Sequence, residues 1–236
     1  MTTRPSHLPV LASTKDWVAV AKPSGLAVHR SAMVRDRVTA MSVVRDQLGR
    51  RVNPIHRLDR ATSGCLIFSF EAAWTTRLQA ALSDGRKRYL AFVRGHTPSR
   101  EPIVIRNPMK DDRGILRDAE TLARPVASCR DPRSSLVLAE PKTGRYHQVR
   151  RHLRDLSHPV LGDAMHGDTK INRWWRENHA LPRLGLHCLS IQLTLDHGPV
   201  TITCPVPEDL AALWRRLPWW TEALEAIPEL SLPEVA

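Results

Sequence analysis

Cysteine is scarce in this chain, and the few cysteines that occur are scattered. Cys65, Cys129, Cys188 and Cys204 form no CxxC pair and match no zinc-ligand spacing. The sequence therefore excludes a disulfide framework and a standard zinc module, and it indicates a reducing, cytoplasmic compartment. Cys65 and Cys204 lie in apolar, β-prone runs, where a free cysteine usually acts as a small core residue.

Long apolar runs are also missing. No stretch approaches the roughly 18 apolar residues of a membrane span, and no apolar signal core opens the sequence. We therefore expect a cytoplasmic protein that binds no membrane, and nothing indicates an obligate protein partner. The 236 residues suit one domain. Its core is expected over residues 8–206, and a C-terminal helix with a loosely ordered tail over 207–236.

Lysine is rare, although the chain is strongly basic. Of 35 cationic residues 29 are arginine and six are lysine, against 24 acidic residues, and the formal net charge is +11. Such an excess favours a polyanionic partner, and arginine adds bidentate phosphate binding and stacking on bases. A solvated surface enriched in arginine by codon usage would give the same composition, so composition alone leaves the partner open.

Hydrophobic periodicity predicts more strands than helices, joined by connections that are often short. The predicted strands are Trp17–Ala21, Cys65–Phe70, Tyr89–Arg94, Leu136–Glu140, Leu186–Leu195 and Val200–Cys204. The predicted helices are Thr39–Gly49, Glu71–Ser83, His147–Leu156 and Pro207–Leu217. The polar residues 100–133 predict peripheral strands and loops. This pattern indicates an α+β fold with a mixed, mainly antiparallel central sheet flanked by helices and loops.

The densest polar constellation is His56–Gly64, with the sequence HRLDRATSG, directly before a predicted buried strand. Asp59 is flanked by arginines, and nearby positive charge favours the ionised carboxylate. An ionised, hydrogen-bonded aspartate can attack a sugar or an activated ring carbon and form a covalent intermediate. The alternative is a surface ion pair beside an ordinary turn, and the charge pattern alone does not decide between the two.

A second polar cluster is Lys142–Leu153, with the sequence KTGRYHQVRRHL, which follows a predicted strand and opens a helix. Free backbone N–H groups at a helix N-terminus favour anions. Side chains three or four residues apart share a helix face; here these are His147, Arg150 or Arg151, and Arg154. A solvated basic helix is the common alternative, and the presence of the HRLD segment in the same chain favours a functional role.

Aromatic residues are few, and Tyr89 is one of only two tyrosines. It lies in Lys87–Gly95 (KRYLAFVRG), a predicted strand, where a lone tyrosine is usually a core residue. Two tryptophan pairs, Trp174–Trp175 and Trp219–Trp220, could stack bases as aromatic residues do in RNA-binding proteins. Core packing or a self-interaction surface explains each pair at least as well.

A third polar group carries histidine and aspartate. Its members are His158, Asp163, His166 and Asp168. Their spacing matches no standard zinc site, and we interpret them as surface turn residues rather than metal ligands.

Taken in chain order, these segments resemble the RluA-type pseudouridine synthases. The match begins at Lys22–Gly25 (KPSG) with His29, includes the HRLD, KRY and KTGRYHQ segments, and ends at Ser157–Asp163 (SHPVLGD). It covers most of the chain, and the HRLD string combined with the later GR-x-HQ-x-R string is highly specific. The resemblance implies a pseudouridine synthase fold, an RNA partner, and an isomerase that needs no metal, redox group or nucleotide cofactor.

The resemblance also implies roles for single residues. Asp59 takes the place of the family's nucleophile, and Tyr89 that of the tyrosine that packs against the target uracil. Arg150 takes the place of the arginine that pairs with the catalytic carboxylate, and Arg145 is a weaker candidate there. Arg57 is implied in displacing and replacing the target base. Together, the candidate RNA-binding residues are Arg57, Arg60, Arg145, His147, Arg151 and Arg154.

The family reaction breaks the bond between uracil N1 and ribose C1′, rotates the base and rejoins it through C5. The stretch Gly162–Arg173 is similar to the GD-x-x-HGD-x-x-x-NR stretch of the tRNA uridine-65 pseudouridine synthases, as are His29–Ser31 and Arg45–Gln47. This subgroup implies uridine 65 of tRNA as the substrate.

Three alternatives stay open at this point. The first is the same reaction on a ribosomal RNA uridine, because both enzymes would share every catalytic residue. The second is a non-catalytic RNA-binding protein of the same fold, which would be expected to lack Asp59, Tyr89 or Arg150. The third is a metal-dependent nuclease, which would need clustered carboxylates that the HRLD segment does not contain.

Overall fold

The computed structural model describes residues 5–30, 38–196 and 198–235, which form twelve β-strands and six α-helices. The strands are β1 (Val10–Ser13), β2 (Trp17–Lys22), β3 (Asn53–Pro54), β4 (Ser63–Ser69), β5 (Arg86–Arg94), β6 (Ile103–Ile105), β7 (Met109–Lys110), β8 (Leu116–Arg117), β9 (Thr121–Cys129), β10 (Ser134–Pro141), β11 (Leu186–Leu195) and β12 (Gly198–Thr203). The helices are α1 (Ala40–Leu48), α2 (Ala72–Asp84), α3 (Gln148–Asp155), α4 (Thr169–His179), α5 (Glu208–Trp214) and α6 (Trp220–Ala226).

The chain divides into two compact units. The first contains the described residues of 1–86, 188–204 and 235, and the second contains residues 87–187 and 205–234. The first unit is therefore assembled from stretches that lie far apart in the sequence, with the second unit's residues between them.

The sheet of the first unit has the strand order β1-β2-β4-β11, with β12 paired to β11 and β3 to β4. The pairings β1–β2, β2–β4, β3–β4 and β11–β12 are antiparallel. Every residue of β4 is buried. A strand covered on both faces needs a continuous apolar run rather than an alternating pattern, and the sequence CLIF in this strand supplies it.

Local sequence signals define helix α1. The Thr39 hydroxyl accepts a hydrogen bond from the Ser42 N–H, and the Ser42 hydroxyl accepts one from the Thr39 N–H, so the two residues cap the helix reciprocally. Gly49 ends the helix with a positive φ of 62°, a conformation that glycine adopts without a side-chain clash.

In the second unit four strands pair in the order β5-β10-β9-β6, and β7 and β8 form a separate two-stranded ribbon. Strand β10 pairs antiparallel with β5 and with β9. Pro125 lies inside β9, next to a register shift against β10 and beyond the three residues that pair with β6. The missing N–H of this proline therefore costs little, since that part of β9 has no β6 partner.

An aromatic cluster forms the core of the second unit. The Phe92 ring lies 5.1 Å from Trp175, 6.3 Å from Trp214 and 5.9 Å from Trp219. All four side chains are buried. Burial of such large rings provides much of the hydrophobic stabilisation of a unit this size. Trp219 thus packs in the core, whereas Trp174 is 43% exposed.

The α+β class and the antiparallel character of the sheet are confirmed, and so is burial of Cys65 and Cys204. Four elements outside residues 100–133 were not predicted: strands β1 and β3 and helices α4 and α6. The segment after Ile227 also differs from the loosely ordered tail expected there. It forms a 3-10 turn at Pro228–Ser231 with Leu230 buried, and Glu229 pairs with Arg88.

Among the described residues, no helix has both the length and the apolar character required to cross a lipid bilayer.

Candidate active site

Asp59 lies in the first unit, in the loop between β3 and β4. Its carbonyl accepts a hydrogen bond from the Thr62 N–H at 3.0 Å, which forms a tight turn directly after the aspartate. The Asp59 side chain is half-buried, and Arg57 and Arg60 on either side of it are exposed. The loop therefore leaves Asp59 partly exposed, with an exposed arginine two residues before it and another directly after it.

The buried side chain of Lys22 fixes the backbone of this loop through hydrogen bonds. It is only 1% exposed, and its Nζ donates to the carbonyls of Pro23 and Leu26 at 2.8 and 2.7 Å and to that of Arg60 at 3.3 Å. A buried ammonium is tolerated where carbonyl groups replace its water, as they do here. The lysine thereby links the KPSG turn to the residue that follows Asp59.

The KPSG turn makes further bonds to the same loop. The Ser24 hydroxyl donates to the Ala61 carbonyl at 2.7 Å, and the Gly25 N–H donates to the Arg60 carbonyl at 2.8 Å. In return, Arg60 Nε donates to the Gly25 carbonyl at 3.0 Å. These bonds fix the backbone around Asp59, although none of them involves its carboxylate.

Gly64 fixes the other side of the loop. Its φ is +129°, and a Cβ at this position would lie 2.3 Å from the Cys188 carbonyl oxygen of β11. Only glycine fits, since backbone atoms are in the way. The next residue, Cys65, is fully buried beside Cys188 and Cys204, and burial raises the pKa of its thiol well above the ordinary value. Cys65 is therefore a neutral core residue rather than a nucleophile.

The KTGRYHQVRRHL segment lies in the second unit, where α3 begins at Gln148. The Gln148 side chain is buried, and its Nε2 donates to the Glu120 carbonyl at 2.9 Å and to the Thr121 hydroxyl at 3.0 Å. The Thr121 hydroxyl in turn bonds to Nδ1 of the buried His152 at 2.8 Å, and His152 Nε2 bonds to the Asn107 carbonyl at 3.0 Å. Burial lowers the pKa of His152, so its ring is neutral.

Arg150 forms a buried ion pair with Asp163. Arg150 Nε and Nη2 each donate to a different Asp163 oxygen at 2.7 Å, and the two side chains are 7% and 0% exposed. Burial alone would raise the pKa of Asp163, but the bonds from Arg150 and from the His166 N–H outweigh it and hold the pKa below its ordinary value. The planar, bidentate geometry leaves the guanidinium one orientation.

The Asp163 turn is itself held by buried side chains. Asn172 Nδ2 donates to the Asp163 carbonyl at 2.9 Å, and the Gly162 N–H donates to Asn172 Oδ1 at 2.8 Å. His166 Nε2 lies 2.9 Å from His147 Nδ1, and burial lowers the pKa of His166. The turn therefore positions Arg150 through a network that reaches helix α4.

The remaining predicted residues differ in exposure. Tyr89 is 9% exposed on β5, opposite Ala139 of β10. His147 is also 9% exposed, and its φ of 53° places it before α3 rather than on the helix, so it does not share a helix face with Arg154. Arg145 and Arg154 are exposed, and Arg151 is half-buried.

The structure thus brings Arg57, Asp59 and Arg60 together in the first unit, and the other predicted residues lie in the second. Asp163 and His166, interpreted from sequence as surface turn residues, are instead part of the Arg150 network. His158 bonds to the Arg94 carbonyl, and Asp168 caps α4. The sequence analysis did not predict that Lys22 fixes the Asp59 loop or that Asp163 pairs with Arg150. The available signal was that both residues lie in the family motifs, Lys22 in KPSG and Asp163 in SHPVLGD.

Solved structures share this fold. The human RNA pseudouridylate synthase domain containing 1 matches with a TM-score of 0.72 at 23% identity, over 90% of each chain. The human RNA pseudouridylate synthase domain containing 4 matches with a TM-score of 0.69 at 21% identity, over 97% of this chain and 95% of that one. The fold is therefore that of the pseudouridylate synthases.

The sequence comparisons define the family. The RNA pseudouridylate synthase family model matches residues 16–155. The tRNA pseudouridine synthase C of Vibrio vulnificus is 35% identical over 89% of this chain and 95% of its own length. The protein of the same name from Salmonella typhimurium is 40% identical over 75% of this chain and 76% of its own length. The chain belongs to the RNA pseudouridylate synthase family, which confirms the RluA-type resemblance and the isomerase class.

Proposed function

We propose that this protein isomerises a uridine of tRNA to pseudouridine, with Asp59 as the nucleophile. The observation that carries the proposal is the HRLDRATSG loop. Its backbone is fixed by Lys22 and the KPSG turn, while the Asp59 carboxylate stays half-buried beside two exposed arginines. Such a loop gives the aspartate backbone a defined position and leaves its side chain partly accessible to a nucleotide, which suits covalent catalysis.

The reaction is a rearrangement within one nucleotide. The C1′–N1 bond breaks, the uracil turns, and a C1′–C5 bond forms. C5 loses its hydrogen as a proton, and N1 gains one, so no other reactant enters or leaves. The uridine must first leave its stack, which costs a few kcal/mol and is easiest in weakly paired RNA.

The other residues have distinct proposed roles. Tyr89 packs against the target uracil, Arg57 replaces the displaced base, and Arg150 acts with the Asp59 carboxylate. These roles follow the family motifs, and the bidentate Asp163 pair supports the role of Arg150 because it gives that guanidinium a fixed orientation. The exposed Arg60, Arg145 and Arg154 are suited to phosphate contacts, which position RNA. Arg151 and the largely buried His147 belong to the same segment.

The proposed RNA class is tRNA, and the proposed position is uridine 65. The relatives named tRNA pseudouridine synthase C support the RNA class. The position is supported by the GD-x-x-HGD-x-x-x-NR stretch at Gly162–Arg173, whose Asp163 and Asn172 form the network around Arg150.

The test uses bulk tRNA with tritium at uridine C5, incubated with wild-type protein and with Asp59→Asn. Rejoining the base through C5 must release that hydrogen, so we expect tritium release from the wild type and none from the variant. RNA binding should change less than a few-fold, because phosphate contacts supply most of the affinity. Release from ribosomal RNA but not from tRNA would overturn the proposed substrate, and equal release by Asp59→Asn would overturn the nucleophile.

The same assay tests Arg150. We expect Arg150→Ala to lower tritium release more than Arg151→Ala, because Arg150 fills the motif position and is the buried partner of Asp163. Thermal melting of both variants separates loss of activity from loss of folding. Equal effects on the activity of the folded proteins would contradict the assignment.

A further inference from the structure

The second unit contains a pocket of about 740 Å³ that none of the proposed catalytic residues lines. It lies where the end of β5, the β9–β10 turn, the end of α3 and one face of α4 meet. Its size is within the range of pockets that bind small molecules or single nucleotides.

The pocket is separate from Tyr89. Arg94 lines it and lies at the far end of β5, five residues beyond Tyr89. A strand rises about 3.4 Å per residue, so the two positions are about 17 Å apart along the strand. A nucleotide in this pocket would therefore not be the one that packs against Tyr89.

Three arginines give the pocket its charge: Arg94, Arg133 and Arg154 line it, against one lining carboxylate, Asp131. Arg133 is exposed and has no ion-pair partner within residues 5–30, 38–196 and 198–235. Arg94 lies 3.7 Å from Asp168, and Arg154 pairs with Asp155 at 2.6 Å. Exposed pairs of this kind contribute little, so a phosphate can replace the carboxylate.

Trp174 supplies an aromatic face in the same pocket. Trp174 is 43% exposed, and its ring stands edge to face against the buried Trp175 at 5.5 Å. Trp175 packs on Phe92 and anchors α4 in the core, so the core does not require a second tryptophan beside it. An exposed indole among arginines is the arrangement that stacks unpaired bases in RNA-binding proteins.

We propose that this pocket is a second RNA-binding site that takes an unpaired nucleotide of the substrate. The base stacks on Trp174, and the phosphate binds Arg133 together with Arg94 or Arg154. The pocket would thereby hold the RNA at a point outside the reacting uridine. The proposal rests on the proposed function only in that the RNA it holds is the substrate of the same protein.

The test compares two pocket variants with two matched controls on the same elements. The pocket variants are Trp174→Leu and Arg133→Ala. The controls are Arg130→Ala, in the same β9–β10 turn, and Arg176→Ala, on α4, both exposed and outside the pocket lining. Each protein is titrated with a labelled eight-nucleotide single-stranded RNA, with the same sequence as a duplex, and with tRNA.

We expect Trp174→Leu to weaken single-strand binding by about 5- to 150-fold, the range for loss of one base–aromatic stack. Arg133→Ala should weaken it and lower the slope of log K against log salt by about one, while Trp174→Leu leaves the slope unchanged. The controls should bind within two-fold of wild type. Equal loss in pocket and control variants, or no loss in Trp174→Leu, would overturn the proposal.

Tritium release separates this proposal from the proposed function. If no RNA releases tritium but the pocket variants still lose single-strand binding, the pocket stands and the proposed function fails. If tRNA releases tritium and the pocket variants bind and react as wild type does, the reaction stands and the pocket fails. Trp174→Tyr, which keeps an aromatic face, should retain most of the binding, and its failure to do so would also count against stacking.

Discussion

The HRLD loop and the KTGRYHQVRRHL segment are both rich in arginine and histidine, but the structure uses them differently. In the HRLD loop the backbone carbonyls of Asp59, Arg60 and Ala61 accept hydrogen bonds, the Arg60 side chain bonds to the Gly25 carbonyl, and the arginines beside Asp59 remain exposed. In the second segment the polar side chains themselves are buried: Gln148 and His152 form a chain of bonds, and Arg150 pairs with Asp163.

This difference teaches how a basic motif should be interpreted. A loop held by its backbone can present its charged groups to a ligand, whereas a helix that buries its charges must satisfy each of them internally. The first segment is thus built to present Asp59, and the second to hold Arg150 in one orientation. Four predictions test this contrast, from the largest expected effect to the smallest.

The buried pair of the second unit should be the most sensitive point. We expect Asp163→Asn to lower the free energy of unfolding by about 3–5 kcal/mol, because it removes the charge of the buried carboxylate that pairs with Arg150. Since the folded-state pKa of Asp163 is lowered, its stabilising contribution is present above the unfolded-state value near pH 4 and is lost as pH falls through the folded value.

Urea unfolding at pH 7 measures the loss. Asp46→Asn is the matched control, because Asp46 pairs with Arg45 while both side chains are more than half exposed. The control should lose at most about 1 kcal/mol. A similar loss in both variants would mean that the Arg150 pair is no more important than a surface pair.

Lys22 tests the backbone-held loop. Lys22→Met should lower the free energy of unfolding by about 1–3 kcal/mol, because the Pro23, Leu26 and Arg60 carbonyls lose their common donor. Tritium release should fall as well, since the backbone after Asp59 is no longer fixed. Lys15→Met, at an exposed lysine, should change neither quantity. Wild-type stability and turnover in Lys22→Met would contradict this account of the loop.

Two buried threonines give a matched comparison between the units. The Thr121 hydroxyl bonds to both Gln148 and His152, so Thr121→Val should cost about 1–3 kcal/mol of unfolding free energy. The buried Thr62 hydroxyl has no hydrogen-bond partner among the described residues, so Thr62→Val should be neutral or stabilise by up to about 1 kcal/mol. Chemical denaturation measures the free energy of unfolding of both variants. A decrease in Thr62→Val as large as that in Thr121→Val would contradict the prediction.

The smallest expected effect is a pH dependence from His152. Burial lowers its pKa in the folded protein, whereas the unfolded chain takes up a proton near pH 6.5. Stability is therefore complete above that value and falls as the pH is lowered towards the folded-state pKa. We expect His152→Gln to be less stable at pH 7.5 but to lose less between pH 7.5 and 5.5. Unfolding at both pH values measures this, and equal losses would count against a neutral, buried His152.

Several elements could be predicted because their signals are local. Thr39 and Gly49 mark both ends of α1, and the apolar run after Gly64 predicts the buried strand β4. Helix α4 was missed because its stretch is polar and was interpreted only as a motif. Its signals were Asp168, which caps the helix by accepting from the N–H groups of Lys170 and Ile171, and the helical spacing of Ile171 and Trp175.

The motifs assign Asp59, Tyr89 and Arg150 to the proposed site, but they do not identify the groups that hold these residues in place. The partner of Arg150 lies in a turn thirteen residues further along the chain. A lysine before a proline is expected to be exposed, and only the folded chain shows that three carbonyls converge on Lys22. Contacts of this kind join residues that are far apart in the sequence, so local sequence patterns do not predict them.

The discontinuity of the first unit has a consequence for synthesis on the ribosome. Gly64 packs against Cys188, and the 101 residues 87–187 separate the two stretches of that unit. At roughly 5–20 residues per second, this spacer takes about 5–20 s to translate. During that interval the Asp59 loop exists without the strand that packs against Gly64, so we expect the nascent chain to complete this loop only after β11 has left the exit tunnel.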